Sequence, residues 1–301
     1  MALDRSNRYP GRFENPTTAS PQGAFKNRTS PTAEDGSYFE ADWANDWDGF
    51  FARILNVAGV TPNGAIDTGS ASQLYDALMS ATPGRLIGVR VISTSSIYTK
   101  TANTRTAIVE MVGGGGAGGS PAQNASGFTS GSGGGNGGSY AKFRVDLSNV
   151  STVSCSIGAG GAATAQASGG NGGATSFGGY CSVNGGNGGL LLASASTVNR
   201  IYGAPTNTGT YGTSSGVSLI TTNTGGLGGD AIILTSGARG GAGGQSTLGG
   251  QIFGPGLDSA GNTALSPGGG GSGCVASNAS FGTNLLGGNG APGLIVIYEY
   301  S

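Results

Sequence analysis

The sequence predicts a mainly β protein built around packed glycine-rich helices of the polyglycine-II type, preceded by an extended arm and two short α-helices. Three observations carry that prediction. Glycine supplies 63 of the 301 residues, and 54 of these lie in residues 113–301. The unit Gly-Gly-x-Gly-Gly recurs at 115–119, 134–138, 169–173, 185–189, 225–229 and 240–244, with near-copies at 268–273 and 287–290. Alternating apolar segments bracket this region at both ends. Such glycine content is ordinarily a mark of disorder, but the chain is 36 % hydrophobic and only 10 % charged, the reverse of a disordered composition.

Residues 1–44 are rich in Pro, Asn, Ser and Thr, with Pro10, Pro16, Pro21 and Pro31 spaced along them. No period of 2 or 3.6 is visible, so they read as an extended arm that must lie on its own domain or on a partner. Residues 45–85 read as a helical region. Asp46 is placed to cap a helix over 45–57, where Trp47, Phe51, Ile54 and Leu55 share a face, and Gly59 and Pro62 end it. A second helix over 70–81 has Ser70 as its expected cap and Leu74 and Leu78 on one side. Helices this short need a partner surface, either within the chain or on sister chains.

From residue 86 onward the pattern becomes β. "IGVRVIS" and "TAIVEMV" are rich in β-branched residues. "YAKFRVDL" alternates strictly, with Ala141, Phe143, Val145 and Leu147 on one side and Tyr140, Lys142, Arg144 and Asp146 on the other. "TVSCSI" (152–157) repeats the pattern, and "LIVIYEY" (294–300) supplies a last strand. Cys155 and Cys181 alternate with apolar neighbours and read as small core residues. With Cys274 the three cysteines lack metal-ligand spacing, which fits synthesis in a reducing cytosol.

A Gly-Gly-x run suits a helix of three residues per turn, rising about 3.1 Å per residue with no internal hydrogen bonds. Every N–H and C=O then points outward. Packed side by side, such helices satisfy one another, provided nothing larger than hydrogen intervenes. Each ordered residue costs about 1–2 kcal/mol and each hydrogen bond returns a net of only about 0.5–1.5 kcal/mol, so the runs need a bundle and strands to clamp it. The alternative is that each unit is an ordinary glycine turn between strands. The side-chain-bearing segments 120–133, 190–224, 245–267 and 274–286 are expected as loops at the bundle ends, a rigid scaffold displaying a binding surface. Aromatics and arginine dominate binding hot spots, which singles out Phe128, Arg200, Tyr202, Tyr211 and Phe253.

Several function classes are excluded or disfavoured. A net charge of −1 with no basic patch argues against nucleic acid. "MALDRSNRYP" lacks a signal-peptide core, and no apolar run is long enough to span a bilayer. The chain has no histidine, so "GTSSG" (212–216) cannot belong to a Ser–His–Asp triad. "GGAGGQST" (240–247) lacks the lysine of a phosphate loop. Of the carboxylates Glu110, Asp146, Asp230, Asp258 and Glu299, only Asp230 and Asp258 form a loop pair of the kind glycan hydrolysis uses. Asn27, Asn124, Asn149 and Asn278 sit in glycosylation-type triplets but are expected to be unmodified. No enzyme activity, metal or cofactor is expected.

Two stretches resemble bacteriophage tail-fibre and receptor-binding proteins. "RYPGRFENPTTASPQGAFKNRTSPTAEDGSYFEADWANDWDGFFARIL" with "GVTPNGAIDTGSASQLYDAL", covering roughly residues 7–79, looks like the virion-attaching N-terminus of fibres from long-tailed phages and prophages. "TAIVEMVGGGGAGG", the later glycine units and "GNGAPGLIVIYEY", within residues 86–301, are similar in kind to the glycine-rich tip adhesin of T-even long tail fibres. The resemblance implies an N-terminal part docked on a tail or baseplate protein. It also implies a C-terminal part whose loops bind a host surface receptor, either a glycan or a pilus or outer-membrane protein. Its setting would be the virion, after synthesis in the host cytoplasm. Fibres of this kind are usually homotrimers, which would make Trp47, Phe51, Ile54, Leu55, Leu74 and Leu78 contacts between chains or with the tail; packing within one chain is the alternative. Rival readings are a purely structural tail or baseplate component, a polysaccharide-degrading tailspike, and more remotely an ice-binding glycine-helix protein.

Overall fold

The computed structural model describes residues 5–18, 21, 23–37, 39–82, 84–122, 127–191, 200–202, 205, 211–213, 216–234, 237–277 and 284–301. The chain forms two compact units, Met1–Gly84 and Arg85–Ser301.

In the first unit a single helical turn, α1 (Arg5–Arg8), precedes two short antiparallel strands, β1 (Phe13–Glu14) and β2 (Ala24–Phe25). A run of rings then lays the arm along the next helix: Tyr9–Phe13, Phe13–Phe25, Phe25–Trp43, Trp43–Trp47 and Trp47–Phe51, with centroids 5.1–6.0 Å apart. Such spacing is in the range of favourable tilted and edge-on pairs. Helix α2 (Ala41–Ala58) begins four residues before the expected start. Glu40 stands at its N-cap without a side-chain bond, Asp42 in the first turn pairs with Arg8, and Asp46 lies inside the helix rather than capping it. Gly59 ends α2 as expected, left-handed at φ 68°, with its N–H on Asn56 O and that of Val60 on Leu55 O. Helix α3 (Gln73–Ala81) is capped by Ser72, not Ser70. The reason is Asp67. Its carboxylate accepts from Ser72 Oγ (2.7 Å), Gln73 N–H (2.9 Å) and Leu74 N–H (3.1 Å), which fixes the first turn at 73 and puts negative charge on the positive end of the helix.

The second unit starts as a β-sandwich. One sheet has the order β13-β7-β5-β17-β3, formed by β3 (Leu86–Ile92), β5 (Thr106–Val112), β7 (Tyr140–Asp146), β13 (Val217–Asn223) and β17 (Leu294–Tyr300). The other has the order β12-β10-β9-β8-β4, formed by β4 (Ser96–Thr99), β8 (Thr152–Ser156), β9 (Thr175–Phe177), β10 (Cys181–Val183) and β12 (Tyr211–Thr213). Every pairing is antiparallel. The core between them holds the side that alternation marked on β7 and β8, Phe143, Val145, Leu147, Val153 and Cys155, with Cys181, and adds Val109, Met111, Phe177, Ile295 and Ile297. Tyr140, expected on the outer side of β7, is also buried.

The strands pass directly into the glycine runs, which belong to no α-helix and no strand. Leg 113–120, the continuation of β5, shows the pattern. Its eight N–H groups leave the leg in rotation. Those of Gly113, Gly116 and Gly119 go to Ser139, Asn136 and Gly133; those of Gly114, Ala117 and Ser120 to Gly173, Gly170 and Ala167; those of Gly115 and Gly118 to Ala291 and Gly288. Its carbonyls accept from Gly186 and Gly189, from Gly161 and from Gly271. Six other stretches of chain thus surround one leg, and the bonding repeats every third residue. A side chain at Gly115 would drive into the carbonyl oxygen of Gly269, and one at Gly118 into that of Ser272.

One expected loop is not a loop. Residues 245–267 fold back along the bundle: Ile252 O and Pro255 O accept from Gly243 and Gly240, and Asn262 O accepts from Ser272. Likewise 190–224 is not one loop, since β12 and β13 within it belong to the sandwich sheets.

Candidate functional site

The two ends of the second unit differ in what they hold. At one end Tyr300 pairs with Thr106 and the Ser301 N–H bonds Arg85 O, so the unit's first and last residues meet there. The antiparallel register of leg 113–120 against 132–139 carries the connection 121–131 to the opposite end. There β6 (Ser130–Gly131) pairs with β16 (Val275–Ala276), and β11 (Arg200–Tyr202), β14 (Ala231–Leu234) and β15 (Gly237–Arg239) form a three-stranded sheet in the order β11-β14-β15. A second, small apolar cluster of Ala231, Ile233 and Val275 pins this end, with Ala238 packed against it.

The five residues singled out as contacts are only partly brought together. Phe128 is half-buried, two residues before β6. Arg200 and Tyr202 lie on β11 opposite Ile233 and Ala231; their side chains fall outside the described residues. Tyr211 is exposed but sits on β12, opposite Val183 in the sandwich, away from the far end. Phe253 is 64 % exposed on the flank of the bundle, with the Arg239 guanidinium 5.3 Å from its ring centroid. Arg239 Nε also donates to Gly254 O at 3.0 Å. Parts of the expected loops, at 123–126, 192–199, 203–204, 206–210, 214–215 and 278–283, lie outside the described residues. What the sequence reading missed is aliphatic: Leu190, Ile232, Leu234, Leu257 and Leu286 are exposed at the far end. Each stands next to a glycine unit or inside a two-sided strand, and nothing in such a short context marks it as exposed.

Formal charge in this part of the chain is sparse. From residue 147 the chain carries only Arg200, Asp230, Arg239, Asp258 and Glu299. Asp258 accepts from Ser277 N–H (2.7 Å) and Ser277 Oγ (2.5 Å). Burial pushes the thiols of Cys155, Cys181 and Cys274 up to about 11, which leaves them protonated and unreactive at neutral pH. Glu299, fully buried, is held at the other end. Burial opposes its charge, but hydrogen bonds from Tyr98 Oη (2.6 Å), Thr101 N–H (2.9 Å) and Thr101 Oγ1 (2.7 Å) outweigh that and hold its pKa below the ordinary value, helped by Arg90 at 3.7 Å. Among the described residues no group of three or more His, Cys, Asp or Glu side chains is placed to hold a metal. No described helix is long and apolar enough to cross a membrane.

The first unit carries a second candidate surface. No residue of α2 is buried, and α3 buries only Ala77. Of the expected contacts, Trp47 and Leu78 are exposed, while Phe51, Ile54, Leu55 and Leu74 are half-buried. Phe39 and Phe50, which the sequence reading passed over, are more exposed than any of these.

Residues 91–300 match the family model described as a glycine-rich domain, and the chain belongs to that family. No curated protein matches it.

Proposed function

We propose that this member of the glycine-rich domain family is a phage tail-fibre or baseplate protein that adheres to a host surface receptor without catalysis. Residues 1–82 dock on the tail and hold three copies together; residues 86–301 carry the adhesive end. We read the legs as polyglycine-II-type helices. The three-residue rotation of their hydrogen bonds and the absence of room for side chains support that reading.

The observation that carries the proposal is polarity. Arg85 and Ser301 meet at one end of the sandwich, and at the opposite end of leg 113–120 lie β6, β16 and the sheet β11-β14-β15, which join side-chain-bearing segments. A spacer whose chain ends meet on one side and whose side-chain-bearing segments lie on the other suits an adhesin. The exposed rings of α2 suit an assembly surface, since large exposed apolar patches mark protein contacts.

Purified protein applied to host cells tests this. Binding to wild-type cells that is lost in one mutant lacking pili, O-antigen or an outer-membrane protein supports adhesion. Exchange of 121–131 and 277–286 with those of a related phage then alters host range. Binding to no host surface, with loop exchange leaving host range unchanged, favours the structural role instead. Release of oligosaccharide from the cell surface would overturn the non-catalytic part.

A further inference from the structure

Six asparagines precede a glycine: Asn63, Asn136, Asn171, Asn184, Asn187 and Asn289. Asn–Gly is the pair most open to spontaneous ring closure, because glycine puts no side chain between its own nitrogen and the asparagine Cγ, and asparagine is among the thermolabile residues. The fold treats five of these pairs alike and the sixth differently.

In four of the five bundle pairs the attacking nitrogen is occupied. Gly137 N–H bonds Gly226 O (2.9 Å), Gly172 N–H bonds Gly186 O (2.9 Å), Gly188 N–H bonds Asn171 Oδ1 (2.9 Å) and Gly290 N–H bonds Gly161 O (3.0 Å). The asparagine amides are engaged too. Asn136 Oδ1 accepts from Gly228 N–H and Asn289 Oδ1 from Ala163 N–H, both at 2.8 Å. At Asn184 the constraint is steric: its carbonyl accepts from Ser139 N–H, and a Cβ added at Gly185 would drive into the Gly172 carbonyl oxygen, so this peptide is packed too closely to turn. Asn63–Gly64 lies in the exposed connection between α2 and α3. Gly64 is left-handed at φ 74° with open space around it, and among the described residues nothing accepts from its N–H. Asn63 Oδ1 accepts from Ala65 N–H at 2.9 Å, while Asn63 N–H is tied to Gln73 Oε1 at 3.0 Å. The turn folds the side-chain carbonyl back over the following peptide and places a donor on the oxygen that becomes negative when Cγ is attacked.

We propose that Asn63 is a site of spontaneous deamidation, and that the glycine bundle shields the other five pairs. Gly64 N loses its proton and bonds to Asn63 Cγ; the Cγ–Nδ2 bond breaks and Nδ2 leaves as ammonia with a proton. Water then opens the five-membered imide at either carbonyl, leaving aspartate or isoaspartate. The product adds one negative charge to the inter-helix connection of the first unit.

The test is peptide mapping by mass spectrometry of the full chain held at mildly alkaline pH, with isoaspartate counted by enzymatic methylation, in native buffer and in denaturant. Because the bundle must open locally before its pairs react, conversion at Asn63 should exceed that at each of the other five at least about ten-fold in native buffer. In denaturant the six should converge. A bundle asparagine that keeps pace with Asn63 in the native protein overturns the proposal. So does an Asn63 that leads by the same factor in denaturant, since the fold would then not be the cause.

Discussion

The sandwich and the glycine bundle are joined strand to leg, yet they are held together by opposite means. In the sandwich, side chains do the packing: Phe143, Phe177 and Met111 are fully enclosed between two sheets, and the backbone bonds run only within each sheet. In the bundle the backbone does most of the packing, in three directions per leg, and the few side chains where legs meet, such as Ala117, Ser132 and Asn136, are small or hydrogen-bonded to backbone. Loss of atoms should therefore damage one region, and gain of atoms the other.

The largest effects test that contrast directly. Gly118→Val places a branched side chain against Ser272 and should cost more than about 3 kcal/mol, beyond ordinary overpacking because backbone cannot repack. Phe143→Ala, its mirror image, should cost about 3–5 kcal/mol. Urea midpoints measure both. Amide exchange should localise the first to the legs, and equal loss of protection in sandwich and legs for both variants would show one cooperative body instead.

Glu299→Gln should cost about 1–3 kcal/mol at neutral pH, because a buried carboxylate accepting three hydrogen bonds becomes an amide that cannot accept them all. Its folded-state pKa lies below the ordinary value, so its contribution is complete above the unfolded-state value and is lost as the pH falls through the folded-state value. A pH series of melting points should therefore show an acid limb in the wild type that is flatter in the variant.

Asn136→Ala should cost about 1–3 kcal/mol, since Gly228 N–H loses its acceptor inside the bundle. The smallest effect concerns adhesion. Arg200, Asp230, Arg239 and Asp258 sum to no net charge, so cell binding should change less than about two-fold between low and high salt. A steep salt dependence would shift the contact surface elsewhere on the chain.

Much of the sandwich was legible because period-2 alternation survives in β5, β7, β8 and β17, whereas the edge strands β3 and β13 are mostly exposed and lack it. The burial of Glu299 in phase with Ile295 and Ile297 was not legible, since its partners Tyr98 and Thr101 lie about 200 residues away in the chain. Helix starts were less legible. Asp46 resembles a cap but lies inside α2, and the register of α3 depends on Asp67, five residues before its cap and outside the helix. The flank 250–265 escaped because a leg on the edge of the bundle meets neighbours on one side only, so Ile252 and Phe253 are tolerated there and the glycine signature is diluted. Tyr211 sits in a three-residue strand, too short for any alternation to register. The exposed rings of α2 were visible as a face, but a face alone does not say whether its own chain covers it.

The rotation of donors along leg 113–120 also governs how such a chain can change length. Removing one residue from a leg shifts this three-residue rotation by one place, and each later amide then faces the wrong neighbour. Legs can grow or shrink only in triplets, and in step with the six stretches around them. Among the described residues, the short strands β6 and β16 at the far end show no such rotation, so a change of length beside them need not upset the bonding of the legs.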